Sequence, residues 1–394
     1  MRGQDMHDSL YREYGNILFQ KEEHGILLKK RYGSVVYCPG HSEKEPGAMY
    51  PRCICLAHNG EKNGALLATF ECYSHELPVF PIYESLDEGK SWEKIGQVED
   101  TQLNWGCRYQ PHLFELPVKC GDLEAGTVLC AGNIIPHDYK KTALHLYKSC
   151  DGGRNWEFVS EIASGGEAFV DIKGIRDEDR PVWEPFLELT RDNRLICFFS
   201  DERLNQEKGF NQLLAHKVSP DGGRTWGEEK IDVAFPNGVL RPGMPVIART
   251  GSGKLMMVYE MINQDSVPVY FRISDNMEDW GETDFLGNRI VTEDGSSLTG
   301  TPYITWIPQG GPEGTFLASG RGFSHILTNS EGGRGYWHKM DRLIETDNSC
   351  PSPGYSQCLV SIKGGKNILN LCPRQISPGL SMIEAAVADV YVKS

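Results

Sequence analysis

A polar eight-residue box that ends in tryptophan recurs along the chain and constrains its fold more than any other feature. It reads "SLDEGKSW" at 85–92, "SCDGGRNW" at 149–156 and "SPDGGRTW" at 219–226, and two degenerate copies end at Trp280 and Trp337. A unit that recurs at intervals of roughly 40 to 70 residues predicts a propeller or another repeat array. The box therefore marks one structural unit at each copy.

The segments before the boxes share a second pattern, in which two short apolar runs are joined by a turn rich in Gly, Asn and Asp. Examples are "EPFLELTRDNRLICFFSDE" and "MPVIARTGSGKLMMVYEM". This pattern is typical of β-hairpins. A third apolar run leads into each box and a fourth follows it, whereas no repeat has the 3.6-residue period of a helix. The pattern indicates six units of four strands each.

We therefore predict an all-β fold, a six-bladed β-propeller that forms a single domain over residues 1–394. The sixth unit has no box, and three early apolar runs, "NILFQ", "HGILLKK" and "GSVVYC", precede the first hairpin. An N-terminal strand that completes the last blade would leave no open sheet edge. Within the box, Asp and Ser form hydrogen bonds in the turn, Gly supplies a positive φ, and Trp packs between blades, so its role is structural.

The composition excludes several kinds of partner. The net charge of −14 argues against nucleic acid and anionic membranes, because both bind basic surfaces. No apolar run approaches the ~18 residues of a membrane span. The 12 cysteines are scattered without a CxxC pair, and no apolar leader is visible, which indicates reduced thiols in a cytoplasmic protein, or a secreted one if a leader has been removed. No histidine pair has metal-binding spacing, and we expect no cofactor.

The residues predicted to lie at the rim of the central pocket begin the first strand or end the second strand of each blade. These positions are rich in Arg, Glu and aromatic side chains, as in sugar-binding pockets. The predicted substrate-binding residues are Arg52, Arg108, Tyr109, Trp183, Asp201, Arg241, Tyr303 and Arg321.

Two carboxylates are expected on this rim in neighbouring blades. Glu184 begins the first strand of unit three, and Glu260 ends the second strand of unit four. Because these strands run in opposite directions, both side chains reach the same pocket. Two carboxyl groups facing one pocket suit glycoside hydrolysis, which needs a proton donor and a nucleophile or base.

The boxes resemble those of the sialidase superfamily, but the opening "YPRCI" places proline before Arg52 rather than after it, unlike the sialidase motif. The sequence is more similar to the exo-α-L-arabinanases of glycoside hydrolase family 93 along essentially its whole length. The matching segments are "MYPRC", "RYQPHLFELP", "VWEPFLEL" and "LRPGMPVIARTGSGKLMMVYEM".

This resemblance implies an exo-acting, retaining glycoside hydrolase that needs no metal and acts on α-1,5-linked L-arabinose oligomers. It implies Glu184 as nucleophile, Glu260 as acid/base and Tyr355 of "GYSQ" beside the catalytic centre. A retaining pair has carboxyl groups about 5–5.5 Å apart. Three alternatives stay open: a sialidase-like exo-glycosidase, a propeller-fold polysaccharide lyase with His112 as base, and a carbohydrate-binding propeller without catalysis.

Overall fold

The computed structural model describes residues 24–40, 46–73, 77–168, 181–204, 209–236, 238–346 and 354–393. Within these ranges the only helix is the 3-10 turn Gly60–Lys62. No helix there is long and apolar enough to cross a membrane. The remaining regular structure is β-strand, in six four-stranded antiparallel sheets. The all-β prediction is confirmed.

The strands follow one another in the order of the repeats. In chain order, β1 is Ile26–Tyr37, and blade 1 then contains β2 (Ala48–Cys55), β3 (Leu66–Cys72), β4 (Phe80–Ser85) and β5 (Glu93–Val98). Blade 2 contains β6 (Cys107–Glu115), β7 (Val128–Ile134), β8 (Thr142–Ser149) and β9 (Glu157–Gly165), and blade 3 contains β10 (Val182–Leu189), β11 (Leu195–Asp201), β12 (Leu213–Ser219) and β13 (Lys230–Val233). Blade 4 contains β14 (Arg241–Arg249), β15 (Leu255–Ile262), β16 (Val269–Ser274) and β17 (Asn288–Arg289), and blade 5 contains β18 (Tyr303–Ile307), β19 (Thr315–Ser319), β20 (His325–Asn329) and β21 (His338–Asp341). Blade 6 contains β22 (Cys358–Ile362), β23 (Asn367–Ser377), β24 (Leu380–Val392) and β1.

The N-terminal strand closes the ring, as the sequence predicts. β1 is the outer strand of blade 6 and pairs antiparallel with β24, from Ile26 opposite Val392 to Tyr37 opposite Ile383. The early runs at 24–30 and 33–38 form this strand, whereas the run at 16–20 lies outside the described residues. The innermost strands β2, β6, β10, β14, β18 and β22 each contact the next around the axis, and β22 contacts β2. The six-bladed propeller is therefore confirmed.

Each complete box is a hydrogen-bonded turn on the outer side of its blade. In blade 2, Asp151 Oδ1 accepts the amide hydrogens of Arg154 and Asn155 at 3.0 Å and the Ser149 hydroxyl at 2.8 Å. The Ser149 hydroxyl oxygen in turn accepts the Gly153 amide hydrogen at 2.8 Å. Gly153 has φ +92°, a conformation that a side chain would strain. The sequence of the box is thus accounted for by one turn.

The box also joins neighbouring blades. Trp156 packs in a hydrophobic cluster built from blades 1 and 2, and Trp226 packs in the cluster of blades 2 and 3. A methyl group on Gly223 would lie 2.2 Å from Leu146 Cδ2 of the preceding blade, so the glycine permits close packing there. The apolar core therefore lies between the blades.

Blade 4, whose box is degenerate, uses a buried arginine instead. The Arg272 guanidinium donates to the carbonyl oxygens of Asp232 (3.0 Å), Glu282 (2.9 Å) and Thr283 (3.0 Å). It also contacts the carbonyl oxygens of Trp280 and Phe285. A cation surrounded by carbonyl groups holds the segment 280–285, which follows the degenerate box.

We expect Asp151→Ala to lower the free energy of unfolding by about 1 kcal/mol, because two amide hydrogens lose their acceptor. Urea unfolding measures the change. Glu157→Gln is the matched control in the same blade, since Glu157 forms only an exposed ion pair with Lys148. Equal stability of the two variants would contradict the structural role of the box.

Candidate active site

A bulge breaks the innermost strand near its start in blades 1 to 4. In blade 3, Trp183 lies opposite Ser200 but Phe186 lies opposite Phe198, so the first strand contains one extra residue. The residue at this position, which is called the bulge position in all six blades, has a left-handed backbone: Tyr50, Gln110, Glu184, Met244, Thr301 and Ser356. The last two lie two residues before β18 and β22. Proline follows the bulge position in blades 1 to 5, and a bulge is where a strand tolerates a residue without an amide hydrogen. Bulges re-aim side chains, and here they set the rim of the pocket.

Side chains of one blade accept the bulge amide of the next. The accepting atoms are Glu71 Oε1 for the Gln110 amide (2.8 Å), Gln110 Oε1 for Glu184 (3.1 Å), Glu184 Oε2 for Met244 (2.6 Å), Glu260 Oε2 for Thr301 (2.6 Å) and Thr301 Oγ1 for Ser356 (3.1 Å). Between blades 6 and 1, the Arg52 guanidinium donates to the Ser356 carbonyl oxygen at 3.0 Å and hydroxyl oxygen at 2.9 Å. Polar side chains of the pocket are thereby fixed by the closure of the ring.

Three carboxyl groups take part in this ring of hydrogen bonds. Glu184 is partly exposed, and its Oε2 also accepts the Ser200 hydroxyl at 2.5 Å. Glu260 is buried, with 6% of its surface exposed. Glu71, the third, is also buried and accepts the Tyr73 hydroxyl at 2.6 Å.

Carboxyl oxygens of Glu184 and Glu260 both lie close to Gly243. A methyl group built on Gly243 would lie 3.6 Å from Glu184 Oε2 and 3.7 Å from Glu260 Oε1. The distance between the two oxygens is therefore at most the sum of these two distances. This limit includes the separation of about 5–5.5 Å found in retaining glycosidases and excludes the upper part of the inverting range of roughly 6.5–9.5 Å.

The pocket has an open side and an aromatic side. The residue before the bulge is glycine in blades 4 and 5, and a methyl group on Gly300 would lie 3.5 Å from Arg321 Nε and 3.8 Å from Glu260 Oε2. In blades 2, 3 and 6 the equivalent residues are Tyr109, Trp183 and Tyr355. Small residues on one side and rings on the other leave space beside Glu260 and Arg321.

The aromatic side is a connected group of rings. Tyr109 lies 6.5 Å from Trp183, 6.0 Å from Tyr73 and 6.5 Å from Tyr139 between ring centroids. Tyr355 lies 6.3 Å from Tyr50. Such rings offer flat apolar faces beside polar groups, which is the combination that a sugar ring contacts.

The electrostatics of the pocket keep a proton available at neutral pH. Burial, reinforced by the negative charge of Glu260, raises the pKa of Glu184 to about 7. Burial also raises the pKa of Glu260, while the charges of Arg241 and Arg321 act to lower it. Two carboxyl groups this close do not both ionise freely, so the pair readily holds one proton.

Two further groups share this field. Burial raises the pKa of Glu71 to about 7, although the hydrogen bond from Tyr73 acts to lower it. Burial raises the pKa of Tyr355, and the charges of Glu71, Glu184 and Glu260 act in the same direction. The Tyr355 hydroxyl therefore stays protonated and able to donate a hydrogen bond.

The structure brings together seven of the predicted site residues: Glu184, Glu260, Tyr355, Tyr109, Trp183, Arg241 and Arg321. Arg241 donates to Glu202 at 2.5 Å and acts electrostatically on both Glu184 and Glu260. Their roles in binding and catalysis remain predictions.

The other predicted residues are engaged elsewhere. The Asp201 carboxylate forms a two-point pair with Arg203, at 2.9 and 3.0 Å. The prediction placed it one residue off, since a one-residue shift along a strand moves the side chain to the opposite face, and Ser200 occupies the pocket position. Arg108 donates to the Ile135 carbonyl oxygen at 3.2 Å and lies over the Tyr139 ring.

Arg52 and Tyr303 belong to a lower layer, two residues beyond the bulges. The Arg52 guanidinium donates to the carbonyl oxygens of Ser356 and Pro51. It also lies over the rings of Tyr50 and Tyr303. His112, the base of the lyase alternative, is in the same layer. Its Nδ1 accepts the Leu187 amide hydrogen at 3.1 Å, and burial, with the charge of Arg52, lowers its pKa to about 3. Arg52 and His112 are both buried in this layer.

Sequence reasoning missed Gln110, Ser200, Glu202 and Gly243 and did not select Glu71 as a site residue. The available signal was the X-Pro pair at the same place in five blades, which marks each bulge. Among the described residues, no three His, Cys, Asp or Glu side chains converge as metal ligands. The eleven cysteines in the described ranges form no disulfide bond with one another.

Comparisons with known proteins agree with the motifs. No protein-family model and no curated protein matches the sequence. Among solved structures, the α-L-arabinanase of Penicillium chrysogenum complexed with arabinobiose is 35% identical, with a TM-score of 0.81 over 92% of this chain and 98% of that one. The α-L-arabinofuranosidase of Fusarium graminearum complexed with an iminosugar inhibitor is 34% identical, with a TM-score of 0.80 over the same shares. The trans-sialidase of Ruminococcus gnavus, at 12% identity over 91% of this chain and 97% of that one and a TM-score of 0.54, shares the fold alone. Since family 93 includes the Fusarium enzyme and the match extends over nearly the whole of both chains, this protein belongs to glycoside hydrolase family 93 and is a glycoside hydrolase.

Proposed function

We propose that the enzyme removes L-arabinose units or short arabinose oligomers from the ends of α-1,5-linked arabino-oligosaccharides, with retention of anomeric configuration. The observation that carries the proposal is the pair of carboxyl groups on either side of Gly243. The relatives support L-arabinose as the sugar of the substrate, because the Penicillium and Fusarium enzymes were both crystallised with arabinobiose.

The proposed chemistry has two steps. Glu184 attacks the anomeric carbon while Glu260 donates a proton to the leaving oxygen, and a glycosyl-enzyme ester forms. Glu260, now ionised, then removes a proton from water, which attacks the anomeric carbon, breaks its bond to the Glu184 carboxylate oxygen and releases the sugar. Tyr355, whose hydroxyl stays protonated, donates to a carboxylate or to a sugar hydroxyl.

The shape of the site supports action at a chain end. The bulges form the rim, and below it lies a layer in which Arg52 and His112 are buried and connect neighbouring blades. A pocket with a floor accepts the end of an oligosaccharide more readily than its middle. The rings of Tyr109 and Trp183 provide the face on which a sugar packs.

The test is a product screen with linear α-1,5-arabino-oligosaccharides, an aryl α-L-arabinofuranoside, sialyllactose and a polyuronate. We expect arabinose or arabinobiose from the linear oligomers, and proton NMR of the first product should show retained configuration. Release of sialic acid without pentose would replace the proposal by the sialidase alternative. An unsaturated uronate, detected by its ultraviolet absorbance, would replace it by the lyase. The Glu184→Gln/Glu260→Gln double variant, purified in the same way, controls for contaminating activity.

A further inference from the structure

Glu202 connects two groups that flank the carboxyl pair. Its side chain, 6% exposed, follows β11 directly. The same oxygen, Oε1, accepts the Trp183 indole N–H at 3.0 Å and the Arg241 Nη2–H at 2.5 Å. One carboxylate therefore holds an aromatic residue of blade 3 and a cation of blade 4.

Trp183 adjoins the proposed catalytic pair in the chain, and Arg241 lies near Gly243. Trp183 immediately precedes Glu184, and Arg241 lies two residues before Gly243. The Arg241 charge acts on three carboxylates, those of Glu202, Glu184 and Glu260. The hydrogen bond to Glu202 fixes where the guanidinium stands among them.

We propose that Glu202 is a positioning residue that holds Arg241 and Trp183 in place and takes up part of the Arg241 charge, so that Glu184 and Glu260 keep the proton that their reaction needs. This inference rests on the proposed catalytic roles of the pair. Without the Glu202 charge, the guanidinium turns to the two pocket carboxylates and favours their ionised forms.

We expect the other groups that face the pair to remain in place when Glu202 is changed. Those facing Glu184 from the surrounding blades are Tyr50, Glu71, Ser200, the Met244 amide, Glu260 and Tyr355, and those facing Glu260 are the Thr301 amide and Arg321. A change in pH dependence in a Glu202 variant thus reports the Glu202–Arg241 pair.

The experiment compares pH profiles of kcat/KM on the aryl arabinofuranoside. With Glu184 as nucleophile, activity of the wild type falls as pH drops through about 7, because the carboxyl becomes protonated. We expect Glu202→Gln, which keeps an acceptor for Trp183, to move this limb about one pH unit lower. In an Arg241→Met background, adding Glu202→Gln should produce no further shift.

Glu188→Gln is the matched control. Glu188 also joins blade 3 to blade 4 through an arginine, Arg249, at 3.5 Å, but it lies away from the carboxyl pair. Removing the Glu188 charge should leave the pH profile of kcat/KM unchanged. An unmoved profile in Glu202→Gln, or an equal shift in the Arg241→Met background, would overturn the inference. Full activity of Glu184→Gln would instead overturn the catalytic roles themselves, so the two failures are distinguishable.

Discussion

Replacing Glu184 or Glu260 by glutamine reduces kcat/KM on arabino-oligosaccharides by about 10³-fold or more. Glutamine keeps the size and the acceptor oxygen that holds the Met244 or Thr301 amide, so the ring of hydrogen bonds survives. It cannot ionise, attack as a nucleophile or donate an acidic proton. Steady-state kinetics measures the loss, and unchanged melting temperatures show that the fold is intact.

Azide with the alanine variants and an aryl glycoside assigns the two roles. At the variant that lacks the nucleophile, azide attacks the substrate directly and gives a glycosyl azide of inverted configuration. At the variant that lacks the acid/base, azide attacks the covalent intermediate and gives the retained configuration. We expect inversion at Glu184→Ala and retention at Glu260→Ala. The reverse pattern would exchange the roles, and near-normal turnover in both glutamine variants would show that the pair is structural.

The pH dependence gives an independent test of the same assignment. The pKa of Glu184 is raised to about 7 by burial and by the charge of Glu260. A nucleophile must be ionised, so activity is lost below that pH if Glu184 attacks. A proton donor must be protonated, so activity would instead be lost above it if Glu184 were the acid. Whether activity is lost on the acidic or on the alkaline side of the pH profile therefore distinguishes the two roles of Glu184.

The fold could be predicted from the sequence because its determinants are local. The box that contains Asp151 closes one turn within five residues, and each hairpin pattern spans one pair of strands. The period of these units then fixed the number of blades. The closing strand followed from the need to cover an edge, and β1 covers it.

The site was harder to predict because it depends on where each strand turns its side chains. The bulge in β10 shifts the pairing by one residue, and at the end of β11 it is Ser200, not Asp201, that contacts Glu184. Arg52 lies two residues beyond its bulge, where it ties blade 6 to blade 1. Residue type alone does not separate the rim from this lower layer.

Contacts between blades were also invisible in the sequence. Glu71 and Gln110 are 39 residues apart, yet their hydrogen bond links blade 1 to the backbone that carries Glu184. Such pairs depend on the closure of the ring rather than on any local pattern. Gly243 is a second example, since a glycine in a strand does not indicate which side chains of other strands lie near it.

Replacing Gly243 by alanine is expected to reduce kcat/KM about 10²-fold. Gly243 has no positive φ, so the backbone conformation permits alanine there. The new methyl group would lie 3.6 Å from Glu184 Oε2 and 3.7 Å from Glu260 Oε1, in space that the proposed mechanism gives to the reacting carbon. A displacement of the substrate by about 1 Å is enough for a loss of this size. Kinetics and calorimetric titration with arabinobiose would show weaker binding together with slower turnover.

Two variants separate lost space from a disturbed neighbour. The methyl group would also lie 2.8 Å from Gln212 Nε2, which donates to the Pro242 carbonyl oxygen at 2.7 Å. If the loss came from moving Gln212, the Gly243→Ala/Gln212→Ala double variant would recover most of the activity of Gln212→Ala alone. We expect no recovery, because the substrate itself is excluded. Gly227→Ala is the control for adding a methyl group to blade 3 away from the pocket, where the nearest atom is the Val218 carbonyl oxygen at 3.3 Å, and it should retain full activity. Normal kinetics in Gly243→Ala would mean that the sugar does not pass between Glu184 and Glu260, and the proposed mechanism would then fail.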